Sequence, residues 1–108
     1  MKFDSYKKII VVDVDETICE CPESTSGDPR RYEKAFPIEK NIEKINKLYD
    51  EGNYIIYWTA RGTLTGIDWN DLTIRQLKSW GAKFHEAKTG KPFYDVIIDD
   101  KSLRIEEL

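Results

Sequence analysis

Three short apolar runs, each breaking off into polar residues, constrain this chain more than any other feature. They are IIVVDVD from residue 9, YIIYWT over 54–59 and YDVIIDD from residue 94. All three are continuous and rich in β-branched or aromatic residues, the pattern of strands buried on both faces of a parallel sheet. Strands are therefore expected over 8–14, 54–59 and 94–99. Between the first two lies PIEKNIEKINKLYDEG, where Ile38, Ile42, Ile45 and Tyr49 keep helical spacing. Pro37 suits its first turn and Gly52 is placed to end it. A second helix is expected over DLTIRQLKSW, capped by Asp68 or Asn70 and closed by Gly81. Lys83 to His85 reads as a short edge strand, 89–92 as a turn, and the tail as a short final helix. Alternating strands and helices predict an α/β fold: a three-layer, Rossmann-like parallel sheet with helices on both faces and right-handed crossovers. At 108 residues the chain is one domain, 1–108.

Composition narrows the partners. A net charge of −3 gives no electrostatic case for nucleic acid or an anionic membrane. No segment approaches the roughly 20 apolar residues of a membrane span, and MKFDSYKK lacks the apolar run of a signal peptide. A soluble, cytoplasmic protein is expected. The two cysteines, Cys19 and Cys21, have no third cysteine and only the distant His85 to share a zinc ion with, and a disulfide across one residue would be strained. They read as unpaired loop thiols.

Ligands of open parallel sheets sit outside the carboxyl ends of the strands. Here those ends carry Asp13 and Asp15, then Thr59 and Arg61, then Asp99 and Asp100. Aligning the strands would crowd four carboxylates at one edge, and like charges that close need a cation among them. A small acidic site that shares its ion with a phosphate suits Mg²⁺. Asp13 could attack phosphorus, and Asp15, facing the same way two residues on, could move the proton of the leaving oxygen. Thr59 offers a hydroxyl donor, and a lysine near the third strand would balance transition-state charge.

DVDET, residues 13–17, resembles the DxDx[TV] signature of the haloacid-dehalogenase-like (HAD) phosphohydrolases. Thr59 after the second run, a lysine before the last run and paired acids at its end follow in that family's order. The resemblance implies Asp13 as nucleophile and Mg²⁺ ligand. Asp15 would be the general acid/base, giving its backbone carbonyl to the metal. It implies Thr59 and Lys91 as phosphate binders, Asp99 as a direct Mg²⁺ ligand and Asp100 beside it. Lys88 is the alternative lysine, but Lys91 is nearer the strand. No interval is long enough for a cap domain: the first holds only the 19–36 flap and the second only the TGIDW loop and a helix. WTARG with KPFYDVIIDDK resembles small phosphatases of capsule or lipopolysaccharide biosynthesis, which implies carbohydrate metabolism and a sugar phosphate or related small metabolite as substrate.

Other residues have plainer readings. Arg61 is balanced between binding phosphate and pairing with acids, while Arg30 and Arg31 read as surface. Trp58 and Trp80 read as core, and Trp69 as the exposed tryptophan able to meet a ligand, with Tyr32 and Phe36 as weaker candidates. His85 reads as structural or solvated. The competing functions are a polynucleotide-end phosphatase, a receiver-like signalling domain and a non-catalytic HAD-fold module. The run 54–63 has no phospho-accepting aspartate, which argues against a receiver. A capless site also leaves room for a second copy of the chain to act as a lid.

Overall fold

In the computed structural model, which describes residues 4–108, Ile9–Val12 form β1. Residues 1–3, part of the MKFDSYKK stretch, lie outside the described residues. Cys19–Glu20 (β2) and Phe36–Pro37 (β3) pair antiparallel and close the base of the flap over 21–35, which carries two short 3-10 turns. Pro37 therefore sits in this ribbon rather than in the first helical turn. Glu39–Asp50 (α1) and Tyr54–Trp58 (β4) follow, then Asn70–Ser79 (α2), Glu86–Lys88 (β5) and a last 3-10 turn over Ile105–Glu107.

The sheet is parallel throughout, in the order β1-β4-β5. Register places Ile10 beside Ile55 and Val12 beside Tyr57 on one face. That face meets Ile42 and Ile45 from α1 and Leu77 from α2 in a single apolar cluster. Both helices thus enter the same core, where a layer on each side was expected. Strands added in one direction by right-handed crossovers receive their helices on one face. The opposite face stays thin at β1, where Ile9 is 47% and Val11 55% exposed. β1 is accordingly half-buried, not buried on both faces.

The third long strand is not formed. Residues 94–99 make no ladder, and Val96, Ile97 and Ile98 lie exposed, Ile98 by 94%. An unbroken apolar run has no preferred face, and a strand needs cross-strand neighbours as well as apolar residues. The edge pairing falls instead to Glu86–Lys88, three residues beyond the stretch that the sequence favours, because Thr59 N–H and His85 N–H anchor that register to Lys88 O and Ile55 O. Gly52, at φ 100°, ends α1 as its position suggests. Neither Asp68 nor Asn70 caps α2 through its side chain as its N-cap residue, which is Trp69; Asp68, one residue earlier, accepts the Asn70 N–H at 2.9 Å. Among the described residues no helix is long and apolar enough to cross a membrane.

Candidate functional site

The turn after β1 is wound tightly. Thr17 N–H and Ile18 N–H both reach Val14 O, and Glu16 N–H reaches Cys19 O. This forces Glu16 to φ 65°, a left-handed conformation that a side chain resists. Val14 is fully buried in the core, so Asp13 and Asp15 on either side of it are directed away from the core. Asn41 of α1 ties the turn down by donating to Thr17 O at 2.8 Å.

The two aspartates have different neighbours. Asp13 stands half-buried with Lys91 Nζ 3.3 Å from Oδ1 and the Thr17 hydroxyl 3.5 Å from Oδ2. Burial works against charge on Lys91, but a hydrogen bond to Tyr94 and the Asp13 carboxylate outweigh it and hold its pKa above the usual lysine value. Lys91 arrives there because the turn after β5 folds back: Lys91 N–H donates to Thr59 O, and Thr63 Oγ1 donates to Lys91 O at 2.7 Å. Lys88 points elsewhere, toward Glu86 at 3.7 Å. Of the two candidate lysines, Lys91 is the one at Asp13.

Asp15 is gripped by Arg61, which donates Nε to Oδ2 at 2.9 Å and Nη2 to Oδ1 at 2.8 Å. The Arg61 side chain is fully buried, and its remaining donors go to Thr73 Oγ1, Gln76 Oε1 and Cys19 Sγ. Arg61 was a candidate phosphate binder. Its donors are already engaged within the protein, so it is a partner of Asp15 instead. Thr73 and Gln76, which complete this network, carry no signal in the sequence, since a Thr and a Gln one helical turn apart suit any amphipathic helix. Cys19 likewise turns out to be structural. Its buried thiol lies 3.4 Å from Asp15 Oδ1, and burial followed by the Asp15 charge pushes its pKa far up.

Thr59 is buried at the end of β4, where its Oγ1 accepts the Arg61 N–H at 3.1 Å and keeps its own proton to donate. Asp13, Asp15, Thr59, Arg61 and Lys91 therefore form one connected group. Asp99 and Asp100 do not join it. Both are exposed beyond the unpaired 94–99 segment, and Asp99 accepts the Lys101 N–H at 3.1 Å in a local turn. Among the described residues no group of three or more His, Cys, Asp or Glu is placed to hold a metal ion. The four-carboxylate Mg²⁺ site expected from the sequence is not assembled in this arrangement, and the nearest cation to Asp13 is the Lys91 ammonium.

The flap closes over this group through aromatic contacts. Tyr32 lies edge-to-face with Trp69 at 5.4 Å, and the Arg31 and Arg61 guanidinium groups lie 4.5 and 4.8 Å from the Tyr32 ring. Gln76 Nε2 donates to Tyr32 O at 2.7 Å, which fixes the flap to α2. Trp69, expected to be exposed, is only 3% exposed. His85 is far from the site: Nδ1 accepts the Ile55 N–H, and the ring stacks on Tyr49 and Tyr54. It is structural, and its partners became visible only when strand and helix met.

No family model matches the chain, and no curated protein matches it. Its fold is similar to that of a crystallised target protein from Vibrio cholerae, with a TM-score of 0.77 and 24% identity, covering 93% of this chain and 85% of that one. At that identity the likeness shows a shared α/β fold and nothing about activity.

Proposed function

We propose that the chain is a phosphomonoesterase of the capless haloacid-dehalogenase-like kind, acting through an aspartyl-phosphate at Asp13. The observation that carries this reading is the 3.3 Å approach of Lys91 Nζ to Asp13 Oδ1, with the Lys91 N–H bonded to Thr59 O. A carboxylate oxygen free to leave its lysine can attack a phosphoryl group that the same lysine attracts. The new bond joins Asp13 oxygen to phosphorus, the ester P–O bond breaks, and the leaving oxygen takes a proton. Water then cleaves the acyl phosphate, returning the Asp13 carboxylate and releasing phosphate.

Asp15 is the candidate for both proton transfers, since it follows Asp13 by two residues at the same strand end. Both its oxygens are engaged by Arg61, so it transfers a proton only when one of those bonds opens. The substrate class that goes with this reading is a small phosphate ester such as a sugar phosphate. The resemblance adds a Mg²⁺ requirement, but the residues as arranged do not fit that ion. Comparing activity in EDTA and in added Mg²⁺ tests that requirement directly.

The decisive experiment is phosphate release from a panel of sugar phosphates, nucleotides and 3′-phosphorylated oligonucleotides by wild type and Asp13→Asn. Release by wild type and loss in the variant supports the reading. Equal rates in both would sink the mechanism. Preference for the oligonucleotides would favour a polynucleotide-end phosphatase.

A further inference from the structure

β1 is an edge strand, and its outer side has no neighbouring strand. Tyr54 N–H donates to Lys8 O at 2.8 Å, and backbone groups alternate sides along a strand. Ile10 and Val12 therefore turn their N–H and C=O groups to β4, while Ile9 and Val11 turn theirs outward. Among the described residues nothing bonds to those outward groups. The Ile9 and Val11 side chains, on the sheet face away from α1 and α2, are exposed beside them. A bare apolar edge is a place for strand addition, and folded proteins rarely leave one uncovered.

The same chain carries a segment suited to that edge. Residues 95–104 form an arm on which Val96, Ile97, Ile98 and Leu103 are exposed, and it makes no ladder with its own sheet. Both ends of the arm are fixed to its own body. At its root the Tyr94 ring centre lies 5.0 Å from Lys91 Nζ. At its far end Ile105 packs on the core, and Ile105 O accepts from Lys44 Nζ at 3.3 Å. Charge matches as well as shape. Asp95, Asp99 and Asp100 flank the apolar run, while Lys7 and Lys8, both exposed, lead into β1. A strand over 95–99 brings an acid to those lysines in either direction, Asp95 when parallel to β1 and Asp99 with Asp100 when antiparallel. The same acids disfavour an anionic membrane as the arm's partner.

We infer that β1 is covered by the arm of a second copy of this chain, the two copies exchanging arms about a two-fold axis so that each three-stranded sheet gains a fourth strand. One chain holds both halves of the contact, so a two-fold pair satisfies both edges and both arms at once. In two copies Ile9, Val11, Val96, Ile97, Ile98 and Leu103 expose on the order of 1,200 Å², the lower end of specific interfaces. The inference does not rest on the phosphomonoesterase reading. It adds to that reading that Lys91, through Tyr94, stands at the root of the exchanged arm.

Sedimentation of the full chain from low to high micromolar concentration, with amide hydrogen exchange over the same range, tests the exchange. A monomer–dimer equilibrium is expected, with amides within 96–98 and those of Ile9 and Val11 protected in proportion to the dimer. Ile98 is 94% exposed in the single chain, so Ile98→Asp leaves the monomer's core intact. It should raise the dissociation constant at least about tenfold, and Lys8→Glu should raise it in a salt-dependent way. A chain that stays monomeric throughout overturns the proposal, whether its 96–98 amides are exposed or are protected by its own β1. A dimer that leaves those amides unprotected, or that Ile98→Asp does not weaken, joins through another surface and overturns it too. None of these readouts is enzymatic, so they stand or fall separately from the reaction assigned to Asp13.

Discussion

The Arg61 guanidinium meets Asp15 through both carboxylate oxygens, at 2.9 and 2.8 Å, with the arginine side chain wholly buried and the aspartate 23% exposed. The pair joins the end of β1 to the loop after β4, and Thr73 and Gln76 extend it into α2. Two strand ends and a helix are thus held together by a charge that would be expensive to bury alone. The same bonds orient Asp15 beside Asp13.

Removing the guanidinium should therefore destabilise the fold before it affects chemistry. Arg61→Met leaves the Asp15 carboxylate, Thr73 and Gln76 without their shared partner, and a loss of about 3 kcal/mol is expected in urea unfolding. Arg61→Lys keeps the charge but not the two-pronged donor geometry, so its loss should fall between wild type and Arg61→Met.

Tyr57 offers a gain. Its hydroxyl is buried in the core with no partner among the described residues, and burial pushes its pKa far up. Tyr57→Phe removes only that oxygen, and a stabilisation of about 1 kcal/mol is expected in the same unfolding measurement. A loss instead would show that the hydroxyl has a partner after all.

The Lys91–Asp13 contact predicts an alkaline limit. Lys91 has a folded-state pKa raised above its unfolded value, so its contribution is complete below about pH 10.4 and is lost as pH rises through the folded value. Between pH 8 and 11, urea midpoints of a Tyr57→Phe background and of the same protein carrying Lys91→Met should converge. The background substitution matters because Tyr57, with its own raised pKa, also lowers stability above about pH 10.

For activity, Asp13→Asn should lose at least about a thousandfold in kcat while retaining the wild-type unfolding free energy to within about 1 kcal/mol, since its carboxylate is half-exposed. Burst-phase phosphorylation of wild type, trapped by acid quench, should disappear in the variant.

Backbone strain at Glu16 makes the last prediction. At φ 65° a non-glycine residue is disfavoured, and Glu16→Gly should raise the thermal midpoint through a gain of about 0.5–1 kcal/mol. If the strain also sets the direction of Asp15, kcat will fall in the same variant while stability rises.

Much of the site could be read from residue types at strand ends. The DVD spacing implied two acids separated by a core valine, and Val14 is buried while Asp13 and Asp15 are not. Lys91 was distinguishable from Lys88 by its distance from the last apolar run, and it is Lys91 that reaches Asp13. Arg61 was ambiguous because a buried ion pair and a ligand contact call for the same side chain. Its partners lie 46, 12 and 15 residues away in the chain, beyond the reach of local pattern. Trp69 was misjudged for a similar reason: a loop position suggests exposure, but the flap returns to cover it.

Periodicity alone was enough for the first two long strands, the two amphipathic helices between and after them and the glycine that ends the first helix, because these depend on contacts within a few residues. Which apolar run joins the sheet was a tertiary decision. Glu86–Lys88 pairs with β4 although its sequence is unremarkable, while Val96–Ile98, the more strand-like segment, stays exposed. Ladder hydrogen bonds require a partner at the right distance as well as suitable side chains, and only the folded chain provides that distance. The same holds for the acids: Asp13 and Asp15 are joined by their spacing, whereas the separation of Asp99 and Asp100 from them depends on where the last segment lies.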